Sequence, residues 1–525
     1  MPRRLALLLL FATALGACWA WLGRDHPLAD AAPPEQRLQC VSYSPFGRDQ
    51  SPFDRPLRLD RAQLDADLAL LAQRFSCIRL YSMTGLQAIP ELARKHGLHL
   101  VLGAWVNADP HDTEAEIRLL IDTAQTYPDV VRAVLVGNET LLRREVTATH
   151  LARLIERVRD NVPQPVSYAD VWEFWLRHPE IAPAVDFLTV HLLPYWEDEP
   201  RGIDTALTEA GRIHDEFVRR FAPKAILIGE TGWPSQGRQR ETALPSPLNQ
   251  ARFIRGFVRH AEAEGWSYNL IEAFDQPWKR RSEGTVGGYW GIYDADRHDK
   301  GVLSGPVSNL PDWPLWLLLS LSLYGGAVLL AGPGARLWLP PLAALGAGCL
   351  AWQAQQLAVV SRSPAEWLWG AALMLLNLLV LAQAALLARG TNRWRGLGAA
   401  LLLASGFAGA VLMLGLVVDA RYRGFPWYAL VFPALFFLLH PRPVSPREGM
   451  LLAGVLALGI PLQLWQEGLA NGQALAWALT CALLAAALAR AASHPRISRS
   501  VCRSVCRSDF SRDAPGPDLH ETPRG

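Results

Sequence analysis

Two short stretches of this 525-residue chain each carry one carboxylate to the end of an apolar, β-branched run: "VRAVLVGNE", ending at Glu139, and "AILIGE", ending at Glu230. Glycine introduces both, Gly137 two residues before the first and Gly229 directly before the second. Either glutamate alone reads as a surface residue or a helix cap. As a pair they read differently, because two carboxylates about 5–5.5 Å apart are what double displacement at an anomeric carbon needs. One attacks the carbon, while the other protonates the leaving oxygen and then activates the incoming acceptor. That chemistry requires a scaffold that brings two distant stretches of chain to one mouth.

Such a scaffold is legible in residues 30–310. Short β-branched runs alternate with segments whose apolar residues recur at helical spacing, such as "RAQLDADLALLAQRF" and "EAEIRLLIDTAQTY". The strand candidates cover residues 39–45, 77–82, 98–106, 131–139, 165–170, 185–192, 225–230 and 268–274. Eight strands in about 280 residues is the count and size of a (β/α)8 TIM barrel, an α/β fold. A doubly wound sheet is disfavoured, since no glycine-rich phosphate loop follows the first strand. In a barrel, Glu139 ends strand four and Glu230 ends strand seven, and both strand ends open on the catalytic face.

At these residues the chain resembles glycoside hydrolase family 17, the β-1,3-glucanases and β-1,3-glucanosyltransferases, in its membrane-anchored bacterial type. The resemblance runs from about Tyr43 to Asp294 and rests on "VGNE", "GETGWPS", "FDQPWK" and "WGIYD". It implies Glu139 as acid/base, Glu230 as nucleophile and Asn138 as a partner of the sugar 2-hydroxyl. Lys279 and Glu283 match a charged pair that the family places near the nucleophile. Gln276 is a departure, because many relatives carry an acid there. Tyr43, Tyr81, Tyr195 and Trp233 stand at strand ends, where an aromatic face can stack on a glucosyl ring. Arg79 can contact sugar or anchor a catalytic carboxylate. Glu272, Asp275 and Asp170 are rival carboxylates and read as binding or supporting residues. No cofactor and no metal is expected: His191 is alone on its strand and reads as a core or rim residue.

Composition sets the surroundings. A formal net charge of +2 gives no reason to expect nucleic acid as a partner. Residues 1–29 read as an N-terminal membrane anchor or signal, a basic flank followed by an uncharged run long enough to cross about 30 Å of hydrocarbon. A retained anchor is preferred, with cleavage as the alternative. Residues 311–491, almost all Leu, Ala, Gly, Val and Trp, read as a membrane domain of about seven helices. Residues 492–525 read as a basic, disordered cytoplasmic tail. Arg336, Arg389, Arg393, Arg395, Arg442 and Arg447 fall in one set of alternate connections, and Arg362, Arg421 and Arg423 in the other. The positive-inside rule then implies a multi-pass inner-membrane protein with the barrel in the periplasm and the C-terminus in the cytoplasm. Cys40 and Cys77 are the two cysteines that would meet an oxidising compartment, as a disulfide or as two buried thiols.

The expected function is a retaining glycosidase acting on β-1,3-glucan in the periplasm, as hydrolase or transglycosylase. The expected partners are β-glucan, the lipid bilayer and a glucan synthase or other membrane subunit. The alternative is a catalytically inactive glucan-binding domain of a polytopic export or sensing protein, and the intact glutamate pair argues against it.

Overall fold

The computed structural model describes residues 2–54, 56–391, 395–418 and 422–493, so the expected basic tail lies, from residue 494, outside the described residues. Eight parallel strands close into a barrel in sequence order: β1 (Leu38–Ser42), β2 (Phe75–Arg79), β3 (His99–Ala104), β4 (Val131–Asn138), β5 (Val166–Val171), β6 (Leu188–Leu192), β7 (Ile226–Thr231) and β8 (Ser267–Leu270). Each expected run supplies one of them. Closure is made by β8 beside β1, with Asn269 level with Cys40.

The helices outside the barrel begin where local chemistry dictates. In Pro110–Thr126 the Asp109 side chain accepts from the amides of His111 and Asp112, and Pro110 takes the first turn, where no amide is needed. Ser246 and Pro247 start Pro247–Glu264 in the same way. Ile117, Leu120 and Ala124, at helical spacing, are buried in the main core of the domain.

Inside the barrel, Cys40, Cys77, Val101, Ala133, Leu135 and Ala169 form a separate small apolar cluster. A disulfide joins Cys40 to Cys77, level neighbours on β1 and β2. Side chains two apart on a strand share a face. Arg79 therefore stands on the same face as Cys77, one step closer to the C-terminal mouth, and His191 likewise follows Thr189. The barrel interior passes from an apolar floor to a polar, charged layer at the mouth.

Outside the barrel domain the chain forms apolar helices: α1 (Pro2–Leu22), α2 (Trp313–Ala331), α3 (Leu339–Val360), α4 (Pro364–Ala388), α5 (Arg395–Val418), α6 (Val431–Leu439), α7 (Pro446–Glu467) and α8 (Gly472–Ala492). Six helices among the described residues, α1, α2, α4, α5, α7 and α8, are long and apolar enough to cross a membrane. In α3 the second half carries Gln353, Gln355 and Gln356. The helix α6 has 9 residues and follows a tight turn at Trp427–Ala429. Small side chains such as Ala343, Ala347 and Ala351 let α3 approach its neighbours closely, and Trp19 Nε1 of α1 donates to Ser320 Oγ of α2 at 2.9 Å.

The bundle has two unlike ends. At one, Arg4 donates to Gly332 O (2.7 Å), the Arg336 amide to Ala388 O (3.1 Å), and Arg490 to Leu438 O (2.9 Å). At the other end, Val359, Tyr422, Arg423, Glu467 and Asn471 touch the barrel.

Candidate active site

Both glutamates reach the mouth because glycine permits it. On β4, Gly137 has φ +86° and Glu139 itself has φ +51°, a left-handed backbone that costs a non-glycine residue about 1–3 kcal/mol. A Cβ on Gly137 would stand 2.7 Å from Thr140 Oγ1. The chain thus leaves the sheet at Glu139, whose amide donates to Ala169 O at 2.7 Å. On β7, a Cβ on Gly229 would stand 2.4 Å from Thr189 Cγ2 and 3.3 Å from Arg79 Nη1. Its absence lets Arg79 Nη1 donate to Gly229 O at 2.7 Å.

One oxygen of Glu139, one of Glu230 and a ring nitrogen of His191 lie within 4.8 Å of one another. His191 bridges the pair, with Nδ1 2.9 Å from Glu139 Oε1 and Nε2 3.6 Å from Glu230 Oε1. Three groups converge on that same Glu230 Oε1: the Tyr81 hydroxyl donates at 2.9 Å, Arg79 Nη1 donates at 3.4 Å, and His191 Nε2 faces it. Among the described residues no hydrogen bond engages Glu230 Oε2. Asn138 Oδ1 accepts from Arg79 Nη2 at 2.5 Å, so one guanidinium ties β2 to the ends of both β4 and β7. The donor set of the trio is also that of a cation site, yet the buried Arg79 guanidinium 3.4 Å from Glu230 already supplies the positive charge there.

Charge and burial shape the titration. Burial raises the Glu139 carboxyl, but the His191 hydrogen bond and charge, helped by Arg143 and Arg79, outweigh it and leave Glu139 below the usual range. Burial pushes the Tyr81 phenol well above its ordinary value, and the Glu230 charge adds to this, so Tyr81 stays a donor. Beside the pair, Glu272 Oε2 accepts from Lys279 Nζ at 2.9 Å. Burial pushes Glu272 up to about 7 against the pull of Lys279, and it pushes Glu283 up to about 7 as well. Glu283 feels the charges of both Glu139 and Glu230, which places it within electrostatic reach of the site. Asp275 and Asp170, each pushed up to about 6 by burial, are tied to Lys300 and Tyr168 respectively.

Of the residues singled out in the sequence, Glu139, Glu230, Asn138, Arg79 and Tyr81 converge, with Lys279 and Glu283 close by. Tyr43, Tyr195 and Trp233 do not offer stacking faces. All three are fully buried, and their polar tips go to internal acceptors: Asp67 Oδ2 at 3.0 Å, Arg238 O at 2.7 Å and Leu244 O at 3.1 Å. They build the barrel wall. His191 is the residue that sequence reasoning missed. It is fully buried and lies level with Glu230 in the β6–β7 register, a pairing that no local pattern in the sequence reports.

Residues 40–291 match the family described as the BtgE/BtgC glycoside hydrolase domain. A glucan 1,3-beta-glucosidase of Arthroderma benhamiae is 30% identical over 260 residues, covering 46% of this chain and 84% of that protein. Glucan 1,3-beta-glucosidase BGL2 of Candida albicans is 27% identical over 271 residues, covering 45% and 85%. An active-site mutant of a Rhizomucor miehei beta-1,3-glucanosyltransferase, solved in complex with laminaritriose, is 22% identical with a TM-score of 0.46, covering 51% of this chain and 98% of that one. With a polar mouth carrying two facing glutamates and a relative at 30% identity across most of that relative's length, the chain belongs to the family-17-like β-1,3-glucanases and is a glycoside hydrolase.

Proposed function

We propose that the chain is a retaining enzyme that cleaves β-1,3-glucan and passes the glucosyl fragment to water or to another sugar hydroxyl. The observation that carries this reading is the spacing of the pair: carboxylate oxygens of Glu139 and Glu230 within 4.8 Å suit direct attack and leave no room for the intervening water of an inverting enzyme. Glu230 is the nucleophile. Its Oε1 is held by Tyr81 and Arg79, so Oε2 forms the bond to the anomeric carbon as the glycosidic C–O bond breaks. Glu139 gives its proton to the departing oxygen. In the second half, the acceptor hydroxyl loses its proton to Glu139 as its oxygen displaces Glu230.

Glu139 sits below the usual carboxyl range in the open site, so the acid step is aided by the substrate itself. Glucan filling the mouth removes water from Glu139 and raises its affinity for a proton. Asn138 meets the sugar 2-hydroxyl, and Lys279 with Glu283 contacts sugar beside the nucleophile.

The barrel is read as periplasmic and the helices as multi-pass in the inner membrane. The Cys40–Cys77 disulfide supports an oxidising compartment. Gathering Arg4, Arg336 and Arg490 at the bundle end away from the barrel supports a cytoplasmic placement of that end. The packing of Leu15 and Trp19 of α1 against the other helices supports a retained anchor.

The test uses the full chain in detergent with an end-labelled laminari-oligosaccharide, beside a Glu230→Gln control, and sizes the products. Longer products make it a glucanosyltransferase, and shorter ones alone make it a hydrolase. No Glu230-dependent change on any β-1,3-glucan would sink the reading.

A further inference from the structure

The helical bundle does not hang from the barrel by a linker; it is seated against one rim of the mouth. Its turns meet the loops that follow β6, β7 and β8. After β7, Arg238 forms an ion pair with Glu467 at the end of α7, both side chains under a tenth exposed (6% and 8%). Arg238 also donates to Arg423 O at 2.7 Å and lies over the Phe425 ring. The neighbouring Gln239 accepts at its carbonyl from Asn471 Nδ2 (2.9 Å) and donates its amide to Gln473 Oε1 (3.0 Å). After β8, Arg280 Nη1 and the Tyr289 hydroxyl both donate to Val359 O at 3.1 Å, and Arg362 donates back to Arg280 O at 3.3 Å. Tyr422 lies so close to Gly284 that a Cβ there would stand 2.6 Å from Tyr422 O. After β6, the Trp196 ring meets Tyr422 edge-on and stacks on Trp290.

The positions of these contacts carry the argument. Arg280 directly follows Lys279, and Gly284 directly follows Glu283, so the bundle grips both ends of the segment that carries the charged pair. A surface anchor has no need of such contacts. It could attach at any face of the barrel, and since a buried Arg–Glu pair is weak evidence for stability, its place at this rim is the more telling fact.

We propose that the helical domain is part of the glucan-binding cleft: its barrel-facing turns at 359–362, 422–425 and 467–473 fix the loops after β7 and β8 as one wall of a subsite for glucosyl units lying beyond the cleaved bond. The inference rests on the glucan reading above and adds that chain-length preference belongs to the whole molecule. Glu467 and Tyr422 act as positioning residues. They touch the loops, and the loops touch sugar. Because that rim rests on the bundle, the cleft lies beside the membrane surface, and a glucan chain running through it passes along the outer ends of the helices.

The experiment compares full-length wild type with Tyr422→Ala, Glu467→Gln, Glu467→Asp and the double variant Arg238→Met/Glu467→Met, which keeps the seam filled without charge. Two substrates are used, an aryl β-laminaribioside that occupies little beyond the cleaved bond and a labelled laminarihexaose. The expected result is a KM for the hexaose raised about tenfold in Tyr422→Ala and Glu467→Gln, partly restored in Glu467→Asp, with kcat on the aryl substrate within about twofold of wild type. Unchanged hexaose kinetics in Tyr422→Ala and in the double variant overturn the proposal. So does a parallel loss on both substrates in the double variant, because the bundle would then be a support for the fold alone. A wild type inert on both substrates would instead bring down the glucan reading itself, and this inference with it.

Discussion

The ends of β4 and β7 carry the same side chain in unlike settings. Glu230 is 6% exposed, and Tyr81, Arg79 and His191 all crowd one of its oxygens. Glu139 is 24% exposed and, among the described residues, has a single side-chain hydrogen-bond partner, His191. A carboxylate held on one oxygen by fixed donors is oriented with its other oxygen free to attack, which suits a nucleophile. A carboxylate open to the mouth, on one partner that can itself carry a proton, suits a group that must gain and lose a proton each turnover. The asymmetry supports the division of labour without reference to any relative.

The sharpest way to break that comparison is to remove each carboxylate and supply a small anion. Glu230→Ala and Glu139→Ala should each lose about 10³-fold or more in kcat on unactivated glucan. With an activated aryl glucoside, azide should restore turnover in both, but with opposite stereochemistry: an α-glucosyl azide from the Glu230 variant and a β-glucosyl azide from the Glu139 variant. Reversed anomers would exchange the two roles.

Next in size is the clamp on Glu230. Tyr81→Phe removes the hydroxyl's hydrogen bonds to Glu230 and Ser42 while keeping the ring and its contact with Arg79. It should lower kcat about 10- to 100-fold with the melting profile unmoved. A KM effect alone would make Tyr81 a sugar contact rather than an orienting group.

His191 tests the other side of the comparison. The His191 charge and hydrogen bond are what bring Glu139 down against its burial. In His191→Asn the amide can still donate, but the charge is gone, while Arg79 and Arg143 remain. Glu139 should then hold its proton to higher pH, and the basic limb of kcat/KM should move to higher pH. A limb that stays or moves down would mean that His191 only fills space.

How much of this was legible in the sequence follows from what is local and what is not. The strands could be read because β-branched runs between helical patterns are local, and the glutamates because each ends such a run behind a glycine. His191 could not, since "TVHLL" looks the same whether its histidine faces a core or two carboxylates; only barrel closure brings it between β4 and β7. Tyr43, Tyr195 and Trp233 misled for the same reason, because standing at a strand end does not say which way a ring turns. Residues 311–491 read as about seven helices, yet the Trp427–Ala429 turn leaves one of them, α6, only 9 residues long. Nothing periodic announces that the bundle sits on the mouth, for that depends on Arg238 and Glu467 meeting across 229 positions.

The smallest expected effect concerns stability. Glu272 and Glu283 are both pushed up to about 7 by burial, above the roughly 4.3 of an unfolded chain. Each therefore binds its proton more tightly in the folded barrel. Their contribution to stability is fully present below about pH 4.3 and is lost as pH rises through about 7. Hydrogen exchange in barrel peptides of the full-length protein should show opening becoming easier by about 1–3 kcal/mol across that window. Glu272→Gln cannot ionise, so its barrel should lose less stability over the same rise, although it is less stable at low pH if Lys279 misses its partner. An unaltered slope in that variant would mean that Lys279 holds Glu272 ionised throughout, and that the charge beside Glu230 is constant across the working range.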